Sequence, residues 1–366
     1  MPKTDVANVR ARLTALLHLD GLPLYDDFIS LCNDASSVLE TEDASYRPSD
    51  SSGSPGGLLD FASSSMNALP VIVVPDVHAR LSLILDVLDF SPPFGEGKSV
   101  LELLFAGKLL VVLLGDLPHA ESRARKRWAD AYGDFCSFYY DDKDVDVFLK
   151  SKSMNEEMRE NLAVWQSVFI LKTAFPHFFH VLKGNHENVR NATFSKGVNL
   201  EFGNRAFRKF CEEGVMCAEF IRNKYDDLFL HCLACFEHAL PVCAVLKNCI
   251  LSHAEPFRHF SREELVNALT NDSAVYDLTW TANDAASEDS VSLTISSLYK
   301  RGFLGRNQKA VRWIGGHRPV SDTFALRQGG LFVQIHNPDV EQVACVFPDR
   351  TFNPQTDIFL VEKRTL

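Results

Sequence analysis

Residues 178–187 read FFHVLKGNHE, and this stretch decides the fold. Phe178 to Leu182 has the length and apolar character of a buried strand. Gly184 then permits a tight turn, and Asn185, His186 and Glu187 crowd the strand's end. One such turn is weak evidence, because a lone histidine is usually a satisfied core or surface residue. The same pattern recurs along the chain, however. VIVVP (71–75) leads into Asp76 and His78, LLVVLL (109–114) into Gly115 and Asp116, NCIL (248–251) into Ser252 and His253, and WIG (313–315) into Gly316 and His317. LFVQIH (331–336) repeats a strand followed by a polar residue. Short apolar runs separated by longer amphipathic ones predict an α/β sandwich, two mixed β-sheets flanked by helices, with its site along one sheet edge.

Outside these strands the chain divides by composition. Val9, Leu13, Leu16 and Leu17, then Leu24, Phe28 and Leu31, have helical spacing. YRPSDSSGSPGG (46–57) looks too polar to pack and predicts a flexible linker or loop. The expected organisation is therefore an N-terminal helical segment and linker over 1–69 and a catalytic domain over 70–366, the latter carrying a charged helical insertion at 118–170. The 366 residues are 46% hydrophobic and 23% charged, which excludes disordered, collagenous and coiled-coil classes. With 37 basic against 48 acidic residues the formal charge is −11, which argues against nucleic acid as a partner. No apolar run approaches the ~18 residues of a membrane helix. The start is charged throughout and lacks a signal-peptide core. Nine scattered cysteines read as reduced thiols of a cytoplasmic protein, with Cys232 and Cys235 expected in ordinary packing rather than on a metal.

The strand ends thus deliver Asp, His, Asp, Asn, His and His to one edge. Oxygen and imidazole donors in that mixture suit manganese first, with iron or zinc as alternatives. A shared carboxylate can hold two ions about 3.5–4 Å apart, the two-metal arrangement for phosphate-ester hydrolysis.

In this order the motifs D-x-H, G-D, G-N-H-E, H and G-H resemble those of the calcineurin-like metallophosphoesterases. FPHFFHVLKGNHE (175–187), LPVCAVLKNCILSHAEP (240–256) and DLTW (277–280) are similar to segments of their phosphoprotein phosphatase branch. The resemblance runs from about residue 70 to about 350. It implies that Asp76 and His78 hold a first metal, that Asp116 bridges, and that Asn185, His253 and His317 complete a second site. It further implies attack on phosphorus by a hydroxide shared between the metals, with His186 as general acid and Glu187 orienting the loop.

The segment after Gly115-Asp116 departs from that pattern. Where the branch continues with x-x-Asp-Arg-Gly, this chain reads LPHAE, so His119 replaces the Asp that pairs with the general acid and Ala120 replaces a phosphate-clamping Arg. His119 is either a rim residue, or a partner for the general acid or an extra polar contact to substrate, with Glu121 as a competitor. Replacement cations are sought among Arg80, Arg123, Arg125, Arg190, Arg301 and Arg318, of which Arg318, Arg301 and Arg190 are the chosen phosphate contacts. Two dications against two ligand carboxylates would leave a cationic pocket inside an acidic chain. The reading is a dinuclear-metal phosphomonoesterase, similar to Ser/Thr protein phosphatases, whose partner is its phosphorylated substrate. Its rivals are a hydrolase of dinucleoside polyphosphates or other small nucleotides, and a scaffold that binds phosphoprotein without turnover.

Overall fold

A computed structural model describes residues 5–141, 143–192, 212–299 and 311–363. In chain order its strands are β1 (Leu58–Asp60), β2 (Val71–Val74), β3 (Leu110–Leu113), β4 (Phe179–Val181), β5 (Cys243–Val245), β6 (Cys249–Ser252), β7 (Arg312–Gly315), β8 (Ala325–Arg327), β9 (Phe332–Gln334), β10 (Gln342–Val346) and β11 (Ile358–Leu360). They form two mixed sheets, ordered β11-β10-β2-β3-β4 and β1-β5-β6-β7-β9-β8.

Strand period two builds the layers. Val71 and Val73 of β2 and Leu110 and Val112 of β3 point into the core between the sheets, where Leu251, Ile314 and Val333 meet them from the other side. The alternate residues, Ile72, Val74, Val111 and Leu113, enter a second core roofed by helices. Ile250, Trp313 and Phe332 pack outward against helices on the far face. The result is a helix–sheet–sheet–helix stack.

Direction matters more for function than layering. Strands β2, β3 and β4 run parallel, with Val74 level with Leu113 and Leu113 with Val181. In the other sheet β6, β7 and β9 are likewise parallel. Loops leaving the carboxyl ends of parallel strands in one sheet emerge on the same side, which is where open α/β sheets place ligands. Six chain-distant loops therefore meet.

The N-terminal residues are fastened to this body. Helix Tyr25–Glu40 sets Phe28 against Phe169, at 5.4 Å between ring centroids, and stacks it on Phe229 at 4.3 Å. The stretch 46–57, read as too polar to pack, packs at its two ends, while Ser49 and residues 51–54 form an exposed loop. Tyr46 and Arg47 are buried, and the Gly57 backbone donates to Val266 O (2.9 Å) while accepting from Val242 N (2.9 Å). Beyond it, β1 pairs in parallel with β5. Serine and glycine supply turns here, while two large side chains supply the anchor. Around Arg47 lies a fully buried ionic cluster. Glu42 receives Arg47 Nη1 at 2.5 Å and the Lys172 ammonium, and His180 Nδ1 lies 3.1 Å from Glu42 Oε1. Lys172 also donates to the carbonyls of Pro176 (3.0 Å) and Phe179 (3.1 Å), so the charge is met on several sides.

Among the described residues no helix is long and apolar enough to cross a membrane. Of the two cysteines expected in ordinary core packing, Cys232 is partly buried, but Cys235 is exposed with Sγ 3.6 Å from His231 Nε2.

Candidate metal centre

The loops at the sheet edge adopt conformations that side chains ordinarily avoid. His78 (φ 46°), Ala79 (59°), Asp116 (49°), His119 (63°) and His317 (66°) all lie in the left-handed region. Each such residue costs about 1–2 kcal/mol, so surrounding bonds must enforce it. They do: His78 N and Ala79 N donate to the carbonyls of Asp116 and Leu117, both at 2.7 Å. Gly184 is required for a different reason. A Cβ there would overlap the Asp116 carboxylate and come within 2.5 Å of the Asp116 backbone nitrogen.

These loops bring Asp76, His78, Asp116, Asn185, His186, His253 and His317 together. Asp116 is at the centre: its Oδ2 lies 3.6 Å from His78 Nε2, 3.7 Å from His186 Nε2 and 3.3 Å from His253 Nε2. Asp76 Oδ2 is 3.9 Å from His78 Nε2 and accepts from His317 N at 2.9 Å. Asn185 Oδ1 lies 2.9 Å from His253 Nε2 and 2.8 Å from His317 Nδ1. Three overlapping groups, Asp76–His78–His336, His78–Asp116–His186 and Asp116–His253–His317, each keep their donor atoms within 4.8 Å of one another.

The far nitrogens fix what faces inward. His78 Nδ1 bonds the His119 carbonyl and His253 Nδ1 the Leu114 carbonyl, both at 3.0 Å. A carbonyl only accepts, so those protons sit on Nδ1 and both Nε2 lone pairs point into the centre. There they meet carboxylate and amide oxygens, acceptors facing acceptors. Asp76 Oδ1, His317 Nε2 and His336 Nδ1, all buried atoms, have no hydrogen-bond partner among the described residues. Burial pushes the Asp116 carboxyl up to about 8, against the pull of the His186 backbone N–H, and drives the His78 imidazole down to about 3. A dry cluster of neutral imidazoles and reluctant carboxylates is a donor set that a divalent cation would satisfy.

Around the donors, other side chains hold loops. Glu187 accepts backbone N–H groups from Gly184 (2.5 Å), Leu117 (2.5 Å) and Asp116 (3.1 Å), the loop-orienting part expected of it. Glu157 and Asn161, on helix Lys152–Ala174, receive the N–H groups of Ala120 (2.9 Å) and His119 (2.5 Å). His119 is buried, not at the rim, and its Nδ1 is 2.8 Å from His186 Nδ1.

The arginines divide. Arg80 turns its guanidinium onto the carbonyls of Asp76 (2.8 Å) and Val77 (3.1 Å), and Arg123 reaches those of His78 and Ala79 while pairing with Glu160 at 2.8 Å. Both brace the D-x-H loop. Arg190 is exposed, with Nη1 2.7 Å from His231 Nδ1, and lines a groove with Lys183, Asn188 and His238 rather than joining the donor cluster. Arg318 is exposed directly after His317. Arg301 lies outside the described residues.

Sequence reasoning passed over His336. It is fully buried at the end of β9, with Nδ1 3.9 Å from Asp76 Oδ2 and Nε2 2.9 Å from Glu121 Oε1. Its signal was present in LFVQIH, an apolar strand ending on a histidine like the others.

No protein-family model matches the chain, and no curated protein does so either. Solved structures do. A protein serine/threonine phosphatase from Saccharomyces cerevisiae, with similarity to human phosphatase PP5, superposes over 93% of this chain and 89% of its own with a TM-score of 0.52 at 12% identity. A cold-active protein tyrosine phosphatase matches at 11% identity over 76% of this chain and 73% of its own, and the enzyme of a psychrophilic Shewanella at 13% over 80% of each, with TM-scores of 0.38 and 0.33. The first likeness establishes a shared α/β fold; the other two are too distant to add to it.

Proposed function

We propose that this chain is a metal-dependent phosphoesterase that hydrolyses phosphomonoesters on a pair of divalent ions, manganese first among them. The observation that carries the reading is Asp116, a buried carboxylate whose Oδ2 lies within 3.7 Å of imidazoles from three separate loops. Asp76, His78 and Asp116 would hold one ion, and Asp116, Asn185, His253 and His317 the other. Bound there, such ions supply Lewis acidity toward a phosphoryl oxygen and lower the pKa of water.

The remaining work falls to the protein. His186 is held by its backbone N–H to Asp116 Oδ1 (3.0 Å) and by its Nδ1 to His119. As general acid His186 would be the imidazolium: it donates Nδ1–H to His119 Nδ1 across that 2.8 Å contact and holds a second proton on Nε2, facing the donor cluster, where a leaving oxygen can take it and leave the neutral ring. Glu187 and Gly184 keep this loop against Asp116. Arg318, exposed beside His317, is the described cation best placed to meet an approaching phosphate.

The fold shared with a serine/threonine phosphatase supports a phosphoprotein substrate. The altered segment after Gly115-Asp116, which has Ala120 in place of an arginine, permits a small nucleotide as the alternative. Metal-loaded protein offered phosphoserine and phosphothreonine peptides, dinucleoside polyphosphates and an aryl phosphate side by side should hydrolyse the aryl phosphate and release phosphate from the peptides. Turnover confined to dinucleotides would replace the substrate half of the reading. Metal uptake with no hydrolysis of any ester would leave a phosphoprotein-binding scaffold.

A further inference from the structure

His336 and Glu121 stand outside both ligand sets named above, yet they face the first of them. We infer that His336 is a further protein ligand of the ion held by Asp76, His78 and Asp116, and that Glu121 is the residue that positions it. The inference rests on the two-ion reading and adds to it a donor from a sixth strand end.

Four observations carry it. The His336 side chain is fully buried, and its Nδ1 has no hydrogen-bond partner among the described residues. That nitrogen lies 3.9 Å from Asp76 Oδ2, and one donor atom each from His336, Asp76 and His78 falls within 4.8 Å of the others. The opposite nitrogen, Nε2, is 2.9 Å from Glu121 Oε1. An ionised carboxylate only accepts, so the imidazole proton sits on Nε2 and the Nδ1 lone pair points toward Asp76. This is the carboxylate–histidine–metal arrangement, in which an outer carboxylate fixes the tautomer and raises ligand basicity. Backbone bonds hold the ring's base in place: Val320 N donates to His336 O at 2.8 Å, and Ile335 N to Gly315 O at 2.9 Å.

Glu121 has a second contact that the same ion explains. Its Oε1 lies 3.3 Å from His78 Nε2, whose lone pair also faces inward because Nδ1 serves the His119 carbonyl. Two acceptors this close repel unless positive charge sits between or beside them. With His336 added, the first ion would have two carboxylates and two imidazoles, a set that suits a transition metal better than magnesium or calcium.

The test is metal binding, independent of turnover. Metal-free protein is titrated with Mn²⁺ by equilibrium dialysis, and its Co²⁺ form is read by visible absorption. The wild-type chain should take up two ions. His336→Ala should take up one, and His336→Gln, which preserves volume and a hydrogen bond to Glu121, should do the same while melting like the wild type. Glu121→Gln should still bind two, with one weakened about 10–100-fold. His317→Ala should lose the other ion and leave the His336-dependent one in place. Two ions at wild-type affinity in both His336 variants overturn the assignment. Unchanged affinity in Glu121→Gln, or outright loss of an ion there, overturns the positioning role. A wild-type chain that binds no ion overturns the two-ion reading beneath both.

Discussion

Asp116→Asn should lose both ions and at least about three orders of magnitude in kcat. The carboxylate reaches imidazoles on both sides of the centre, so its removal weakens two sites at once rather than one. Several kcal/mol of charge stabilisation is at stake, and each 1.36 kcal/mol is tenfold in rate. The asparagine is nearly isosteric, which makes a folding defect a poor explanation for the loss. A melting curve close to the wild type, together with metal content near zero, is the expected pair of readings. A variant that keeps its metal and its rate would remove Asp116 from the centre of the account.

The second large effect is on stability and lies far from the metal centre. Glu42→Ala should destabilise the fold by about 3–5 kcal/mol, because it strands Lys172 and Arg47 as buried charges without their carboxylate. The cluster need not be a net gain over apolar residues. Burial lowers the Lys172 ammonium even with Glu42 beside it, so the cost appears chiefly when one member is removed. For Glu42, burial works to raise the carboxyl, but Lys172, then the His180 hydrogen bond and the Arg47 charge, hold it well below the ordinary range. A carboxyl depressed in the folded state contributes stability above its unfolded pKa of about 4.3 and loses it as pH falls through the folded value. Urea midpoints should therefore be insensitive to this group above about pH 5 and fall with acid below about pH 4, and Glu42→Gln should flatten that limb. A change under about 1 kcal/mol in Glu42→Ala would mean that the N-terminal segment is not anchored through this residue.

Most of the sheet edge was legible because its grammar is local. VIVV, LLVVLL and NCIL are apolar runs of strand length, and the residues that follow them are forced to the strand ends whatever the rest of the chain does. Parallel pairing then puts those ends on one side, which a sequence pattern can anticipate. What escaped depends on contacts between distant positions. Tyr46 and Arg47 sit in a polar stretch, and their burial comes from His180, Ala239 and Glu42 folding around them. β1 has three residues, too few to show a period, and exists because β5 offers it a partner. Arginine roles were the least readable. A guanidinium on a long stem goes where acceptors are, and for Arg80 and Arg123, candidate phosphate cations by sequence, these are backbone carbonyls of the D-x-H loop. His119 stands where the resembled motif has an acidic residue, and its contact with His186, 2.8 Å between the Nδ1 atoms, depends on a loop and helix that no local pattern announces.

The central claim is that these loops assemble a two-ion hydrolytic centre. Metal analysis of the purified chain, coupled to a Mn²⁺-dependence curve for aryl phosphate hydrolysis, tests it most directly. Two transition-metal ions per chain are predicted, with hydrolysis abolished by chelation and restored as the second ion returns. A chain that carries no transition metal after Mn²⁺ is supplied, or that hydrolyses the ester equally well in chelator, would contradict it.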